Sequence, residues 1–243
     1  MLDSRERFAA TADDYERYRP SYPGALVDWI VSTAGLTPTA KVADVGCGTG
    51  IAARLFSARG FDVVGVDPNE EMLEKARARG QARYVRGEAS ATGLPDSSVD
   101  LVVCAQAFHW FDAKAAAAEF RRILAPGGWS AAFWNVRQKT GLMAEYEALL
   151  QRIGDYRAAP KPAEAIVRIE ALAASPGFLA AEFEYSQPMS LEQLLGRARS
   201  SSYVAHGVAD LAAFEASLAG LFARHAQSGV VAFSYRTVVR MWR

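Results

Sequence analysis

Short apolar runs alternate with amphipathic stretches through the first half of the chain. The runs at residues 41–45, 61–67, 82–89, 99–108 and 130–135 are predicted to be β-strands. They do not alternate strictly between apolar and polar residues, which is typical of strands buried on both faces of a sheet. Strands separated by helices of about ten residues form βαβ units with a parallel sheet. The pattern therefore predicts an α/β fold with a doubly wound, mostly parallel, Rossmann-like sheet.

The stretches between these strands have the pattern of helices. Helices are predicted at residues 25–35, 51–60, 69–80 and 113–125. The third has an asparagine at its N-cap, acids in its first turn and bases in its last, all of which favour a helix. A Pro-Gly-Gly sequence is predicted to end the fourth, because proline cannot continue a helix.

The alternation is lost beyond residue 136. Helical patterns at residues 141–154, 163–175, 190–205 and 210–229, a candidate strand at 181–189 and a β-rich segment at 230–243 complete the chain. We predict one domain over residues 1–243, in four parts: a leader (1–24), an α/β core (25–137), a helical segment with one strand (138–228) and a final strand (229–243).

Composition and charge limit the partners and the cellular location that we expect for this protein. The 243 residues include 27 Lys+Arg and 27 Asp+Glu, so the formal net charge is zero. That balance argues against nucleic acid or an anionic membrane as a partner. Two cysteines without CxxC spacing indicate neither a disulfide framework nor a structural zinc site. The N-terminus lacks a signal-peptide pattern and no apolar run is long enough for a membrane span, so a cytoplasmic protein is expected.

The sequence VADVGCGTG, residues 42–50, places three glycines directly after a strand and before a helix. Glycines in this position let a ligand lie against bare backbone at a helix N-terminus. The dinucleotide fingerprint has the longer spacing GxGxxG. Asp44 stands two residues before Gly46, and its carboxylate would repel a pyrophosphate but attract a cationic ligand group. The loop alone leaves dinucleotide, phosphate and sulfonium ligands open, and Asp44 favours a cationic one.

Two more acids end the next two predicted strands. Asp67 closes the second strand and Glu88 the third. The carboxyl ends of parallel strands meet at the edge where open α/β sheets bind ligands, and an acid at the Asp67 position can accept hydrogen bonds from both ribose hydroxyls. In the alternative interpretation each acid is a helix cap or a solvated loop residue. Three acids in register favour a nucleoside-binding site.

Four motifs in order resemble those of class I S-adenosylmethionine-dependent methyltransferases: VADVGCGTG, VVGVDP, RGEASATGLPDSSVDLVVCAQAFHW and RRILAPGGW. The resemblance covers roughly residues 40–135 and extends to the final strand. It implies a seven-stranded sheet with an antiparallel C-terminal strand and a helical cover on the side of the methyl acceptor. The leader FAATADDYERYRPSYP together with AFHWFD resembles the narrower trans-aconitate methyltransferase-like group.

The resemblance also implies S-adenosylmethionine as cofactor and a role for each matching residue. Asp44 and the backbone around Gly46 and Gly48 would hold the methionine portion, with the carboxylate near the ammonium group. Asp67 would bind the ribose hydroxyls, and Met72 would lie near the adenine ring.

The remaining matching positions lie directly after the third and fourth strands and in the loops that follow the first and second strands. Glu88 and Ala89 correspond to the positions that meet the adenine amine, where the family commonly has the shorter aspartate. Gln106 lies where the backbone faces the methionine end. Cys47 and Pro68 complete the cofactor-binding residues of the two loops.

Two further groups are candidates for the reaction itself. His109, in AFHWFD, is predicted to be catalytic as a general base, which methyl transfer needs only when the acceptor arrives protonated. In the alternative, His109 is structural or shapes the acceptor pocket. Tyr15, Tyr18 and Arg19 of the leader are predicted to form a lid over the cofactor, or alternatively to anchor the terminus.

The predicted function is methyl transfer from S-adenosylmethionine to a small molecule, with a carboxylate or hydroxyl oxygen as the candidate acceptor atom and without a metal ion. Alternatives within the fold are a C- or N-methyltransferase and a non-catalytic S-adenosylmethionine-binding protein. An RNA or protein methyltransferase would need a basic groove or a further recognition domain. The short glycine spacing and Asp44 argue against a nicotinamide-dependent oxidoreductase.

Overall fold

A seven-stranded sheet organises the part of the chain that the computed structural model describes, residues 18–158, 161–172 and 178–243. The strands are β1 (Lys41–Val45), β2 (Asp62–Asp67), β3 (Arg83–Arg86), β4 (Val99–Ala105), β5 (Leu124–Arg137), β6 (Leu179–Met189) and β7 (Val231–Trp242). Their order is β3-β2-β1-β4-β5-β7-β6. The first five pair in parallel and the C-terminal strands are antiparallel, so the predicted fold is confirmed.

Ten α-helices accompany the strands in the described ranges. They are α1 (Gly24–Ala34), α2 (Ile51–Ser57), α3 (Glu70–Arg79), α4 (Ala113–Ile123), α5 (Gly141–Leu150), α6 (Gly154–Ala158), α7 (Pro162–Leu172), α8 (Leu191–Arg199), α9 (Ser202–Gly207) and α10 (Leu211–His225). A 3-10 helix, Phe108–Trp110, lies between β4 and α4. The Asn69 side chain accepts the Met72 N–H at the start of α3, which confirms the predicted cap.

The chain divides into two compact units. The core unit comprises Ser21–Asn135, Thr237–Arg243 and the described residues within Pro160–Phe183. The cover unit comprises Glu184–Arg236 and the described residues within Met1–Pro20 and Val136–Ala159. Helix α7 therefore lies in the core unit, although its residues fall within 138–228 of the sequence. The division into four sequence segments stays a prediction.

Strand β1 lies at the centre of the core unit. In its register Asp44 stands opposite Gly65 of β2 and Val103 of β4. The apolar residues of these strands and of α1 to α3 form one buried cluster that includes Phe56 and Leu73. Burying each such large side chain stabilises the fold by about 1.5–3 kcal/mol, and packing on both faces holds the carboxyl ends of β1 and β2 in place.

Two predicted strands end earlier than expected. Residues 82–89 were predicted as one strand, but β3 ends at Arg86 because Glu88 turns back to pair with Ala91 through two backbone hydrogen bonds. The prediction for residues 99–108 was wrong in the same way. Gln106 has φ +56°, which turns the chain out of β4 and into the 3-10 helix.

Two predicted helices also differ. The fourth ends at Ile123, not residue 125, because Leu124 is already extended and pairs with Val99. The Pro-Gly-Gly sequence lies inside β5, at a break in the register. The helix predicted at residues 190–205 divides into α8 and α9, since Ser201 is extended. Helix α6 was not predicted.

A buried carboxylate fixes the loop between β3 and β4. Glu119 of α4 accepts the N–H of Thr92 at 2.7 Å and its hydroxyl at 2.5 Å. Arg122 donates to both Glu119 oxygens, at 2.7 and 2.8 Å, and also binds Asp96. Chiefly because of the Arg122 hydrogen bonds, the pKa of Glu119 is lowered to about 2.

The variant Glu119→Gln should lower the free energy of unfolding by about 1–3 kcal/mol at neutral pH, since it removes charge-assisted bonds to Thr92 and Arg122. A carboxyl group with a lowered pKa stabilises the fold above its ordinary pKa and loses that contribution as pH falls. The difference between wild type and variant in urea unfolding should therefore shrink from about pH 4.5 towards 2. Glu74→Gln, on the exposed face of α3, is the matched control. A deficit that does not depend on pH would contradict this role.

Candidate functional site

The glycine loop between β1 and α2 folds over the end of β2. Gly46, Gly48 and Gly50 have φ of +73°, +54° and +79°, in the left-handed region that favours glycine. The backbone N–H groups of Gly46 and Cys47 both donate to the Val66 carbonyl, at 2.8 and 3.1 Å. The loop is therefore fixed to the neighbouring strand at the ligand-binding edge of the sheet.

The two sides of this loop have different surroundings. A Cβ atom on Gly46 would lie 2.6 Å from Ala107 Cβ and 2.9 Å from Phe111 Cζ, so the segment after β4 packs directly on the bare backbone. A Cβ atom on Gly48 would meet no atom within 4 Å in the described ranges. The loop is thus packed against protein at Gly46 and open at Gly48, where a ligand can approach the backbone.

Asp67, at the end of β2, fixes the loop from the side. Its Oδ2 accepts the Gly48 N–H at 2.9 Å, and its Oδ1 accepts the Asn69 N–H at 2.9 Å. Burial raises the pKa of this carboxyl group, and the two hydrogen bonds oppose that rise. Each carboxylate oxygen has a second lone pair. Asp67 can therefore hold the loop and still accept two hydrogen bonds from vicinal hydroxyls.

Asp44, at the end of β1, is fully buried. Its Oδ2 accepts the Ala53 N–H of α2 at 2.9 Å, while Oδ1 accepts no hydrogen bond from the described residues. Burial, and to a smaller degree the charge of Asp67, raise the pKa of Asp44 to about 7 against the Ala53 hydrogen bond. A buried carboxylate with an unused acceptor is stabilised by a cation. Asp44 therefore presents a buried carboxylate that a positively charged group could compensate.

The other predicted cofactor residues of the two loops are close by in the fold. Cys47 is buried, and burial raises the pKa of its thiol. Pro68 follows Asp67 directly, and Met72 is buried in the first turns of α3. The structure thus brings Asp44, the glycine loop and Asp67 to one edge of the sheet.

The residues after β3 and β4 lie at the same edge, because these strands are parallel to β1 and β2. Glu88 is exposed and Ala89 is half-buried. The Gln106 backbone N–H donates to Phe133 at 2.9 Å, and its side chain donates to the Asn135 carbonyl at 3.3 Å. Gln106 is therefore held by β5, with its backbone turned by its positive φ.

Tyr18 and Arg19 belong to the cover unit. The Tyr18 hydroxyl donates to Glu192 at 3.3 Å, and its ring lies where a Cβ atom on Gly196 would be. Arg19 donates to the Ser200 carbonyl at 3.4 Å. These contacts anchor both residues to α8 and its C-terminus, while their predicted part in cofactor binding stays a prediction. Tyr15 lies outside the described residues.

A hydrogen bond to His109 determines which of its two ring nitrogens carries the proton. The indole N–H of Trp134 donates to His109 Nδ1 at 3.1 Å. Because an indole nitrogen only donates, Nδ1 must be the unprotonated nitrogen, and the neutral ring carries its proton on Nε2. His109 can then donate from Nε2, but it could accept a proton only at the nitrogen that Trp134 occupies. This geometry weighs against the predicted role as a base, which stays a prediction.

The sequence did not reveal two residues that support the site from β5. One is Trp134, which orients His109. The other is Asn135, whose side chain accepts the Thr237 hydroxyl at 2.6 Å and donates to the Ser21 carbonyl at 3.0 Å. Their position at the carboxyl end of the fifth predicted strand was the available signal, since that is the ligand-binding edge.

The described ranges contain neither a cluster of metal ligands nor a membrane-spanning helix. No group of three or more His, Cys, Asp or Glu side chains there is placed to hold a metal ion. Likewise, none of the helices in those ranges is long and apolar enough to cross a membrane.

Nitrogen-detected NMR of the imidazole rings can test the His109 tautomer. We expect the Nδ1 resonance of neutral His109 to be that of an unprotonated nitrogen and the Nε2 resonance that of a protonated one. The chain has three histidines, so the assignment can be made with the variants His206→Gln and His225→Gln. Trp134→Phe removes the donor and should allow both tautomers. A proton on Nδ1 in the wild type would contradict the hydrogen-bond direction.

The variant Asp44→Asn should make the free protein relatively more stable as pH rises. A carboxyl group with a raised pKa lowers stability between its ordinary pKa and the raised value of about 7. The advantage of Asp44→Asn over wild type in urea unfolding should thus increase between about pH 4 and 7, by on the order of 1–4 kcal/mol, and become constant above pH 7. Asp62→Asn, on the exposed start of β2, is the control. A difference that stays constant over this range would show that Asp44 is not destabilised by burial.

Part of the chain is similar in sequence to known methyltransferases. Residues 43–132 match the family model of a methyltransferase domain. An uncharacterized methyltransferase of Mycobacterium tuberculosis is 41% identical over 150 residues, which cover 61% of this chain and 60% of that protein. The match therefore spans about three fifths of this relative's length.

Solved structures extend the similarity to nearly the whole chain. A protein of Anaeromyxobacter dehalogenans provisionally described as a type II methyltransferase superposes with a TM-score of 0.68 and 26% identity, covering 93% of this chain and 98% of the other. Phospholethanolamine N-methyltransferase 2 of Haemonchus contortus, in complex with phosphomonomethylethanolamine and S-adenosylhomocysteine, shares the fold at a TM-score of 0.57 and 18% identity, over 99% of this chain and 60% of the other. Residues 43–132 are therefore similar to a methyltransferase domain, and together with the strand order these similarities support a class I S-adenosylmethionine-dependent methyltransferase.

Proposed function

We propose that this protein transfers a methyl group from S-adenosylmethionine to a small molecule. We also propose that S-adenosylmethionine binds on the glycine loop, with Asp44 at its methionine end. One observation carries the proposal: a fully buried carboxylate with an unused oxygen immediately precedes the loop. A pyrophosphate would be repelled by that carboxylate, whereas the ammonium and sulfonium groups of S-adenosylmethionine are cationic.

The residues at this edge fit S-adenosylmethionine. Asp44 would hold the methionine end together with the backbone at Gly46 and Gly48, where the open side of the loop admits a ligand. Asp67 would accept the two ribose hydroxyls with the lone pairs that Gly48 and Asn69 leave. The S-adenosylhomocysteine found in the Haemonchus contortus enzyme supports a cofactor of this class.

The adenine end would lie along the next strand. Met72 would pack near the ring, and Glu88 with Ala89 would face its amine. When bound, the cofactor supplies a methyl group that is already electrophilic. The chain's own task is therefore to align the acceptor behind that methyl group and to exclude water, which lowers the barrier by several kcal/mol in well-oriented systems.

His109 would act on the acceptor as a hydrogen-bond donor. Its neutral form carries a proton on Nε2, because Nδ1 accepts from Trp134. A donor can orient an oxygen acceptor, but it cannot remove a proton from a hydroxyl group. A carboxylate needs no base. Within the proposed class we therefore favour a carboxylate oxygen over a hydroxyl oxygen as the methyl acceptor.

Other functions of the same fold lack a comparable observation. The zero net charge offers no attraction to RNA, although a local patch is compatible with it. A C- or N-methyltransferase and a non-catalytic S-adenosylmethionine-binding protein are the alternatives that the experiments below separate. A cytoplasmic location and membership of the trans-aconitate methyltransferase-like group stay predictions.

Cofactor affinity should depend on pH through Asp44. If the ionised carboxylate binds the cationic cofactor, affinity should fall about tenfold per pH unit below the free-protein pKa of about 7, and binding should release a proton in that range. Calorimetric titration with S-adenosylmethionine from about pH 5 to 7, in buffers of different ionisation enthalpy, measures both. Asp44→Asn should bind weakly and without this pH dependence. Wild-type affinity that is constant with pH would remove Asp44 from the binding site.

A screen for methyl transfer tests the acceptor class. With S-adenosylmethionine carrying a labelled methyl group, we expect label to enter carboxylic acids in preference to phenols, alcohols, amines and thiols. His109→Gln, whose amide nitrogen can replace the Nε2 donor, should keep more activity than His109→Ala. Transfer only to RNA or protein would contradict the small-molecule proposal. Tight cofactor binding without transfer to any compound class would favour the non-catalytic alternative.

A further inference from the structure

The cover unit contains a buried arginine held only by hydroxyl groups. Arg197 of α8 is 4% exposed. Its Nε donates to the Tyr235 hydroxyl at 3.4 Å, and its Nη1 donates to the hydroxyls of Ser200 and Ser201 at 3.4 and 3.0 Å. These hydroxyls are neutral, so they satisfy hydrogen bonds but do not balance the charge.

Arg197 has no carboxylate partner in the described ranges, and no hydrogen bond from its Nη2 is found there. Other acids of the unit are engaged elsewhere: Glu215 pairs with Arg199 at 2.5 Å, and Glu145 pairs with Arg224 at 2.6 Å. A buried charge is costly unless a counter-charge and hydrogen bonds compensate it. The fold therefore maintains an uncompensated guanidinium group inside this unit.

A second guanidinium group lies in the same cluster, but it is compensated. Arg137 pairs with Glu147 at 2.9 Å and donates to the Tyr156 hydroxyl at 2.6 Å. Its guanidinium carbon also lies 5.8 Å from the centre of the Tyr146 ring. Arg137 is therefore compensated within the cluster, whereas Arg197 is not.

The positive charges of Arg137 and Arg197 affect two tyrosine side chains. Burial opposes ionisation of Tyr203, but Arg137 and Arg197, with a smaller contribution from Arg19, outweigh it and lower the pKa of Tyr203 to about 8. Tyr146 is buried and interacts electrostatically with the same two arginines. The cluster thus combines an uncompensated positive charge with hydroxyl donors, which is the composition of an oxyanion site.

We propose that Arg197, with the hydroxyl groups of Tyr146 and Tyr203, binds the carboxylate group of a small molecule within the cover unit. The uncompensated charge of Arg197 matches a monoanionic carboxylate better than a phosphate, which carries up to two charges at neutral pH. The unused Nη2 supplies two N–H donors for it. This site is formed by the cover unit alone, and it does not depend on the methyl-transfer reaction.

Calorimetric titration of the full chain at about pH 7 with acetate, succinate, citrate and inorganic phosphate tests the proposal. We expect one molecule of at least one carboxylate to bind, and phosphate to bind more weakly. Arg197→Met should weaken that binding at least tenfold. Arg199→Met is the matched control, because Arg199 is on the same helix but exposed and paired with Glu215, and its affinity should be that of the wild type.

A second measurement keeps the test decisive if Arg197→Met does not fold. In the wild type, a bound carboxylate should raise the pKa of Tyr203 above about 8, because it neutralises Arg197. The phenolate absorbance reports this shift, and Tyr203→Phe identifies the signal. Failure of all three carboxylates to bind, binding of phosphate alone, or binding that is unchanged in a folded Arg197→Met would each overturn the proposal.

Discussion

The hydrogen bond between the Asp67 carboxylate and the Gly48 backbone is the contact on which the site depends. It joins the end of β2 to the glycine loop that follows β1, while the other Asp67 oxygen holds the N–H of Asn69 ahead of α3. One side chain therefore sets the relative position of two strand ends. Without it, Gly48 would lose this anchor, and the loop would be held to β2 only by the hydrogen bonds from Gly46 and Cys47 to the Val66 carbonyl.

The two acids at this edge of the sheet differ in how well their carboxylates are compensated. Asp67 is satisfied by the backbone, whereas Asp44 is fully buried with one oxygen unused, and burial raises its pKa to about 7. Such a group costs the free protein stability, which is common at functional sites. A cationic ligand would relieve that cost. Arg197 in the cover unit is likewise buried without a counter-charge, but its charge has the opposite sign.

The pattern of apolar runs was sufficient to predict the fold and the edge of the sheet that carries the site. Asp44 and Asp67 could be predicted because parallel strands bring their carboxyl ends together, whatever the details of packing. The early ends of β3 and β4 could not, since they depend on the pairing of Glu88 with Ala91 and on the positive φ of Gln106. Local sequence carries no reliable signal for either.

The sequence also could not predict hydrogen bonds between side chains that come from distant segments of the chain. Trp134 fixes the tautomer of His109 from 25 residues away, and nothing near His109 indicates it. Arg197 lies among the polar residues of α8 and has the pattern of a surface residue, yet it is buried against Tyr235. Interactions of this kind arise only when the packed fold brings the two segments together.

A crystal structure of the protein with S-adenosylhomocysteine tests the central claim most directly, because it locates each end of the nucleoside. We predict that the amino-acid end lies against the open side of the loop at Gly48, close to Asp44, and that the ribose hydroxyls bind the two oxygens of Asp67. A nucleoside bound away from this edge, or bound here with the ribose distant from Asp67, would contradict it.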